Sequence, residues 1–186
     1  MTKLPIPESY WAVENKFLAG EYPASYNAQS ARRRIEAFLE VGIRSFIDLT
    51  QSHELVPYEP ILKEQAKIYD LDVNYQRFAI RDHNIPSNET MKKILDTIDS
   101  EIENGKPVYV HCWGGVGRTG ITVACYFIRH GLSHEQALKK VHNLFITRPQ
   151  GYYPTSPETQ IQFEFVRNWK EIPNANHKSG QKFCEG

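Results

Sequence analysis

Ten consecutive residues in the second half of the chain combine residue types suited to chemistry on an anion. Residues 111–120 read HCWGGVGRTG. Gly114, Gly115 and Gly117 allow the backbone to curl closely round a ligand, because glycine lacks a Cβ and tolerates positive φ. Arg118 adds a planar guanidinium that can hold two oxygens of a phosphate group. The stretch therefore predicts a socket for a tetrahedral oxyanion.

Cys112 lies at the floor of this socket, between an apolar run and the start of a predicted helix. Backbone N–H groups and the positive end of the helix dipole converge at such a turn. The same field stabilises the ionised thiolate, which is the nucleophilic form of cysteine. A small buried hydrophobe is the alternative interpretation, but His111 and Arg118 on either side favour a nucleophile.

Hydrolysis of a phosphate ester also needs a proton for the leaving oxygen, a step worth about 10²–10⁴ in rate. Asp82 lies in the loop RDHNIPSN, directly after a predicted strand, and is the candidate general acid. His83 could tune Asp82 by hydrogen bonding. Asp48 ends another strand, and the acids at 96 and 99 lie on an exposed helix face, so these three are weaker candidates.

Residues 111–120 resemble the signature of the cysteine-based protein tyrosine phosphatases, H-C-x5-R-[S/T]-G, and match it at each defining position. The resemblance implies that His111 polarises the cysteine, that Cys112 attacks phosphorus and that Thr119 assists release of the thiolate. It also supports Asp82 as general acid. The phosphoryl oxygens would be held by the side chain of Arg118 and by the loop amides, which are those of Trp113, Gly114, Gly115, Val116, Gly117 and Arg118.

Three further stretches resemble the small atypical dual-specificity phosphatases: W-x-V…LAGEYP, the D-x-x-x-P acid loop and S-P-E-T-x-x-Q. This resemblance covers about residues 9–170. The dedicated phosphotyrosine-recognition loop of classical tyrosine-specific members has no counterpart, which implies a shallower cleft. Gln162 either lines the site or caps packing, and both interpretations stay open. For Arg148, a surface or structural role is favoured over a second anion contact, and the role of the loop 148–158 stays open.

The elements that position these residues alternate between strand and helix patterns. Strands are predicted at 43–49, 73–80 and 107–111, with a hairpin at 10–20. Helices are predicted at 27–41, 57–70, 89–104 and 121–130, with two more starting from caps at Ser133 and Ser156. The last helix is expected to turn Ile161, Phe165 and Trp169 inward. The pattern predicts an α/β fold with a central, mostly parallel sheet flanked by helices, as a protein tyrosine phosphatase-like single domain. Residues 1–172 would be the catalytic domain and 173–186 a polar, mobile tail.

Composition excludes several classes of function. The 186 residues carry 22 Lys plus Arg and 22 Asp plus Glu, so a broad basic face is not expected and neither is nucleic-acid binding. No apolar run approaches the roughly 18 residues of a membrane span, and the first residues do not predict a signal peptide. Three cysteines without paired spacing predict a protein of the reducing cytoplasm. A monomer is expected. Cys125 is interpreted as core packing, with a reversible disulfide to Cys112 as the lesser alternative.

No metal or cofactor is predicted. His130 and His134 have the spacing of a zinc pair, but Gly131 and Ser133 interrupt the helix between them. The sequence therefore predicts a metal-independent phosphatase that acts through a phosphocysteine intermediate. The expected partner is a phosphorylated protein or peptide. Phosphotyrosine is the favoured group in it, with phosphoserine and phosphothreonine as the lesser alternative.

Two alternatives to this function remain. The substrate could be a phosphoinositide, an inositol phosphate or an RNA 5′-phosphate, although Trp113, Gly114 and Val116 supply no lysine for a highly anionic group. The chain could also be a phosphate-recognising binding module. The presence of Cys112, Arg118 and Asp82 speaks against that alternative.

Overall fold

One five-stranded sheet with helices on both faces forms the structure, a computed structural model that describes residues 3–149 and 153–171. The strands are β1 (Ser9–Val13), β2 (Phe17–Gly20), β3 (Ser45–Asp48), β4 (Asn74–Arg77) and β5 (Val108–His111). The helices are α1 (Ala28–Glu40), α2 (Glu59–Ile68), α3 (Asn88–Glu103), α4 (Gly117–Arg129), α5 (His134–Phe145) and α6 (Gln160–Asn168). The α/β fold with a mostly parallel sheet flanked by helices is confirmed.

The sheet runs in the order β1-β2-β5-β3-β4. The central strand β5 pairs in parallel with β2 and β3, and β3 pairs in parallel with β4. β1 and β2 form the predicted antiparallel hairpin. Because the carboxyl ends of parallel strands meet at one edge, the loops that follow β3, β4 and β5 lie side by side.

Successive residues of β5 point to opposite faces of the sheet and enter different cores. Val108 and Val110 belong to the core shared with α3, α4, α5 and α6, whereas Tyr109 belongs to the core shared with α1 and α2. Both faces are covered, which explains the continuous apolar run. Every residue of α4 from Gly117 to Phe127 is buried. The predicted central helix is therefore present, and its first turn is fixed at the end of β5.

The start of the last helix is predicted wrongly. Ser156 does not cap it: α6 begins at Gln160, where Thr159 and Gln162 form a capping box. The hydroxyl of Ser156 is instead used 40 residues away, donating to the carbonyl oxygen of Val116 at 2.7 Å.

This shift rotates the buried face of α6. Ile161 is 45% exposed rather than inward, and Gln162 and Val166 take the buried positions. Phe165 is partly buried and Trp169 is buried, so the prediction is correct for the second half of the helix.

Two further predictions differ in extent or lie outside the described part of the chain. β4 covers only Asn74–Arg77 of the predicted strand 73–80. After Arg77 the chain leaves the paired ladder, and the backbone N–H groups of Phe78 and Ile80 donate to the carbonyl oxygens of Asp48 and Leu49. The tail at 173–186 lies outside the described residues. None of the described helices is both long enough and apolar enough to cross a membrane.

Candidate active site

The loop between β5 and α4 is held from outside by donors to its carbonyl oxygens. The backbone N–H of Tyr22 donates to Trp113 O at 2.8 Å. Arg148 donates to Gly114 O at 3.1 Å and to Gly115 O at 3.2 Å. In a trans peptide the N–H points opposite to the carbonyl. The N–H groups that follow these carbonyls therefore point inward, into the cradle that an oxyanion requires.

Gly115 makes the turn of this loop possible. Its φ is +68°, and a Cβ there would lie 2.2 Å from the carbonyl carbon of Gly20. Neither backbone can yield, because Gly20 is the last residue of β2. The loop is thus seated against the neighbouring strand as well as against Arg148.

We expect Gly115→Ala to destabilise the fold by about 2–3 kcal/mol, since it combines backbone strain with a clash against backbone atoms. Chemical denaturation would measure this change. Gly114→Ala is the matched control, because a Cβ at Gly114 would meet side-chain atoms only at 3.4 and 3.6 Å. Equal stability of the two variants would contradict the seating of Gly115 on Gly20.

A cavity of about 200 Å³ opens above the loop. Cys112 forms part of its lining and is buried, while Trp113 stands at its rim with 53% of its surface exposed. The acid loop contributes Asp82 and His83. The remaining lining residues are Gly114, Val116, Gly117, Arg118, Tyr153 and Glu158.

Arg118 joins the loop that carries Asp82 to the loop between β5 and α4. Its Nη1 and Nη2 donate to the two carboxylate oxygens of Glu54 at 2.8 and 2.9 Å, and Nη1 also donates to Ile80 O at 2.9 Å. Nη2 lies 2.8 Å from Oδ1 of Asp82. Burial disfavours the cation, but the bonds to Glu54 and the charges of Cys112 and Asp82 outweigh it and raise the pKa of Arg118 above its ordinary value. The guanidinium is therefore charged and fixed in the cavity wall.

His83 lies beside Asp82, as the sequence predicted. Its Nε2 is 3.4 Å from Oδ2 of Asp82, and its Nδ1 is 3.5 Å from a carboxylate oxygen of Glu158. Asp82 is thus flanked by Arg118 on one oxygen and His83 on the other.

His111 supports the backbone of Cys112 from beneath. Its Nδ1 is 3.0 Å from Cys112 O, and its Nε2 is 2.8 Å from the hydroxyl of Tyr58. A carbonyl oxygen only accepts, so Nδ1 carries the proton and Nε2 accepts from Tyr58. Burial lowers the pKa of His111, which keeps the ring neutral at pH 7. The observed contact of His111 is with the carbonyl of Cys112, so the ring fixes the backbone that presents the sulfur.

A family model described as Tc-R-P, polymorphic toxin system, DSP-PTPase phosphatase, matches residues 22–132, more than half of the chain. The chain belongs to this DSP-PTPase family. The resemblance to the cysteine-based protein tyrosine phosphatases and their atypical dual-specificity members is confirmed.

Two relatives of the DSP-PTPase chain share about a quarter of its aligned residues and are longer than it. The phosphatidylinositol 3,4,5-trisphosphate 3-phosphatase and protein-tyrosine-phosphatase PTEN1 of Arabidopsis thaliana is 25% identical over 89% of this chain and 38% of its own length. The protein tyrosine phosphatase domain-containing protein 1 of Mus musculus is 28% identical over 88% of this chain and 22% of its own length. The chain thus spans less than half of either relative. The crystal structure of Tk-PTP in its active form has the same fold, with a TM-score of 0.70 at 23% identity over 87% of this chain and 95% of that one.

The structure resolves what Arg148 and Gln162 contact in the DSP-PTPase chain. Arg148 braces the phosphate-binding loop through its carbonyls, which is the structural role favoured from the sequence. Gln162 is fully buried, accepts from the backbone of Glu158 and Thr159 and donates to Asn84 O. It caps α6 and ties the acid loop to it, and it is absent from the cavity lining within the described residues.

Other candidates lie where their sequence contexts indicate. Thr119 is buried, and within the described residues its hydroxyl has no hydrogen-bond partner, so it is available to a new acceptor beside the loop. Cys125 is fully buried in α4, and burial raises the pKa of its thiol well above the ordinary value. His130 contacts Asp99, and His134 contacts the carbonyl oxygen of Trp169, the residue directly after α6. Within residues 3–149 and 153–171, no group of three His, Cys, Asp or Glu side chains is placed to hold a metal ion.

Two residues that sequence reasoning missed, and one to which it gave another role, surround the site from other parts of the chain. Glu54 anchors Arg118 and Tyr58 holds His111. Asp48, considered from sequence only as a weak general acid, lies 4.0 Å from His111 and is 1% exposed. Burial opposes its ionisation, but hydrogen bonds from Thr50 and Arg77 to its carboxylate outweigh this and lower the pKa of Asp48. It supports the buried network rather than the cavity.

These pKa shifts predict acid lability of the fold. His111 stays neutral when folded but takes a proton from about its ordinary pKa of 6.5 when unfolded, so stability falls as the pH drops below 6.5. The slope from this one proton is at most about 1.4 kcal/mol per pH unit. Asp48 has the lowered pKa of a stabilising carboxylate, so its contribution is lost below about pH 4.

We expect His111→Gln to flatten the dependence of the free energy of unfolding on pH between 6.5 and the lowered pKa of His111. Denaturant titrations across this range would measure the slope for both proteins. An unchanged slope in the variant would show that another group titrates there.

Proposed function

We propose that this chain hydrolyses phosphate monoesters through a phosphocysteine intermediate, and that phosphotyrosine in a protein or peptide is its preferred substrate. One observation carries the proposal. A single cavity brings together a buried cysteine, a charged arginine and an aspartate from a separate loop: Cys112, Arg118 and Asp82. These are a nucleophile, an anion clamp and a proton donor, the three parts that the reaction needs.

In the first step, the phosphoryl group binds to the loop amides and to the guanidinium of Arg118. Nη2 of Arg118 contacts both Glu54 and Asp82 in the free protein, so a phosphate that binds Nη2 competes with these two carboxylates. We propose that it displaces Asp82, the more exposed of the two. Asp82 is then released toward the leaving oxygen. The Cys112 thiolate forms the S–P bond and the P–O bond to the leaving group breaks. Asp82, which takes up a proton from solvent once it has left Arg118, gives that proton to the leaving oxygen.

In the second step, Asp82 is ionised and acts as a base. It takes a proton from a water molecule that attacks phosphorus, the S–P bond breaks, and Cys112 leaves as a thiolate. Thr119 lies directly after the arginine, and we propose that its hydroxyl assists this departure. Arg118 and the loop amides stabilise the negative charge in both steps.

The walls of the cavity favour an aryl phosphate over a polyphosphorylated ring. Trp113 and Tyr153 line it with aromatic surface, against which a phenyl ring can pack. Glu158 places a carboxylate at the same rim, which repels additional phosphate groups. No lysine is among the lining residues in the described part of the chain.

A phosphoinositide or inositol phosphate is the second candidate substrate. The name of the Arabidopsis relative includes both a phosphatidylinositol trisphosphate phosphatase and a protein tyrosine phosphatase, so it supports either class.

For the location of the protein, the free thiols of Cys112 and Cys125 support a reducing compartment such as the cytoplasm.

A substrate panel tests the proposed function. Values of kcat/KM would be compared for a phosphotyrosine peptide, the same peptide with phosphothreonine, and a soluble inositol polyphosphate. We expect the phosphotyrosine peptide to exceed the others by about tenfold or more, the effect of one well-packed ring. Preference for the inositol polyphosphate would overturn the substrate assignment, and phosphate binding without turnover of any substrate would indicate a binding module.

A further inference from the structure

A second cavity, of about 410 Å³, opens beside the active-site cavity. Trp113 lies in the wall of both. The opposite walls come from the segment between β2 and α1, including Tyr22 and Tyr26, and from Leu55 after β3. This volume falls within the range of about 300–1,000 Å³ typical of ligand sites. The two cavities are therefore neighbours that share Trp113.

The wall of the second cavity is braced against the phosphate-binding loop. Tyr22 donates its backbone N–H to Trp113 O at 2.8 Å, and its hydroxyl donates to Val56 O. Its ring packs edge to face on Tyr58, with centroids 5.6 Å apart. These contacts connect the second cavity to residues that hold the active site, so an occupant would meet a preformed surface.

Three aromatic side chains, those of Tyr22, Tyr26 and Trp113, line the second cavity together with small and polar residues, and its two charged side chains are paired with each other. Arg34 donates to Glu21 at 2.8 Å and to the carbonyl oxygens of Tyr22 and Pro23 at 3.2 and 3.4 Å. A second phosphate would have to break this ion pair to gain a counter-charge. By contrast, Tyr26 and Trp113 offer accessible aromatic surface to an apolar group, because Tyr26 is 76% exposed and Trp113 is 53% exposed.

We infer that this cavity binds an aromatic or aliphatic side chain of the substrate peptide, at a position flanking the phosphotyrosine. The inference rests on the proposed function, since it needs a peptide substrate. An extended peptide advances about 3.3–3.6 Å per residue, so a residue near the phosphotyrosine can reach past Trp113 into the second cavity. The cavity thus selects sequence context, while the phosphate loop selects the phosphoryl group.

Short phosphotyrosine peptides with alanine at all flanking positions provide the test. Leucine, phenylalanine, glutamate or phosphoserine would be placed at one flanking position at a time, and kcat/KM measured for each. At the position that reaches the cavity, leucine or phenylalanine should raise kcat/KM about five- to tenfold over alanine. Glutamate and phosphoserine should not.

Two variants assign this preference to the cavity. Tyr26→Ala and Leu55→Ala should each reduce the preference for leucine and phenylalanine, with no comparable loss on phenyl phosphate, which is too small to extend beyond the first cavity. The matched control is Tyr69→Ala, an exposed tyrosine that lines neither cavity. It should keep the full preference.

The outcomes separate the inference from the function on which it rests. Equal kcat/KM for every flanking residue, or a preference that survives both variants, would overturn the inference while the phosphatase activity stands. A preference for phosphoserine would overturn it too, because the cavity would then bind an anion. Failure to hydrolyse any phosphotyrosine peptide, with turnover of inositol polyphosphate, would overturn the proposed substrate and the inference together.

Discussion

Replacing Cys112 by serine should reduce turnover of phosphate esters by about 10³-fold or more while phosphate still binds. A serine hydroxyl is not ionised near neutral pH, and no general base contacts this position to activate it within the described residues. The loop amides and Arg118, which hold the phosphoryl oxygens in our proposal, are unchanged by the substitution. Steady-state rates with p-nitrophenyl phosphate and calorimetric titration with inorganic phosphate would measure the two effects separately.

Cys125→Ala is the matched control for this substitution, because Cys125 is also a buried free cysteine but lies in the core of α4. It should cost some stability and retain turnover. Residual activity of Cys112→Ser within tenfold of the wild type would refute the nucleophile assignment.

Asp82→Asn should lower kcat/KM for phenyl phosphate by about 10²–10⁴, the usual value of a general acid. Phenolate is a poor leaving group and needs the proton, whereas p-nitrophenolate departs without it. The loss should therefore be much smaller with p-nitrophenyl phosphate. Values of kcat/KM isolate this difference because they report only the steps through cleavage of the ester bond.

Asp96→Asn serves as the control, since Asp96 is an exposed acid on α3 whose partners are Lys92 and Arg129. It should leave the dependence on the leaving group unchanged. Equal fractional losses on both substrates in Asp82→Asn would place the general acid elsewhere.

The sequence predicts the site well where its parts are contiguous. Residues 111–120 contain the proposed nucleophile, the arginine and the glycine turn in one stretch, and the apolar strand before them fixes their place at the sheet edge. Asp82 is identified because it comes after β4, whose carboxyl end lies at the same edge of the sheet as that of β5. Helices such as α3 are identified because their apolar residues repeat with the helical period over four turns.

Contacts between distant residues leave no such pattern. Glu54 and Arg118 are 64 positions apart, and Tyr58 and His111 are 53 apart, so neither pair has a spacing that sequence reasoning could use. The error at α6 has the same origin. Ser156 has the residue type of a helix cap, but its hydroxyl is taken by Val116 in the folded chain.

Trapping of the phosphoenzyme tests the central claim most directly. In Asp82→Asn, p-nitrophenyl phosphate should still phosphorylate the protein, while the second step is slowed by loss of the base. Rapid quenching followed by peptide mass spectrometry should then find stoichiometric phosphate on Cys112. Continued turnover with no protein-bound phosphate, or with phosphate on a different residue, would contradict a mechanism in which the loop presents the phosphoryl group to this sulfur.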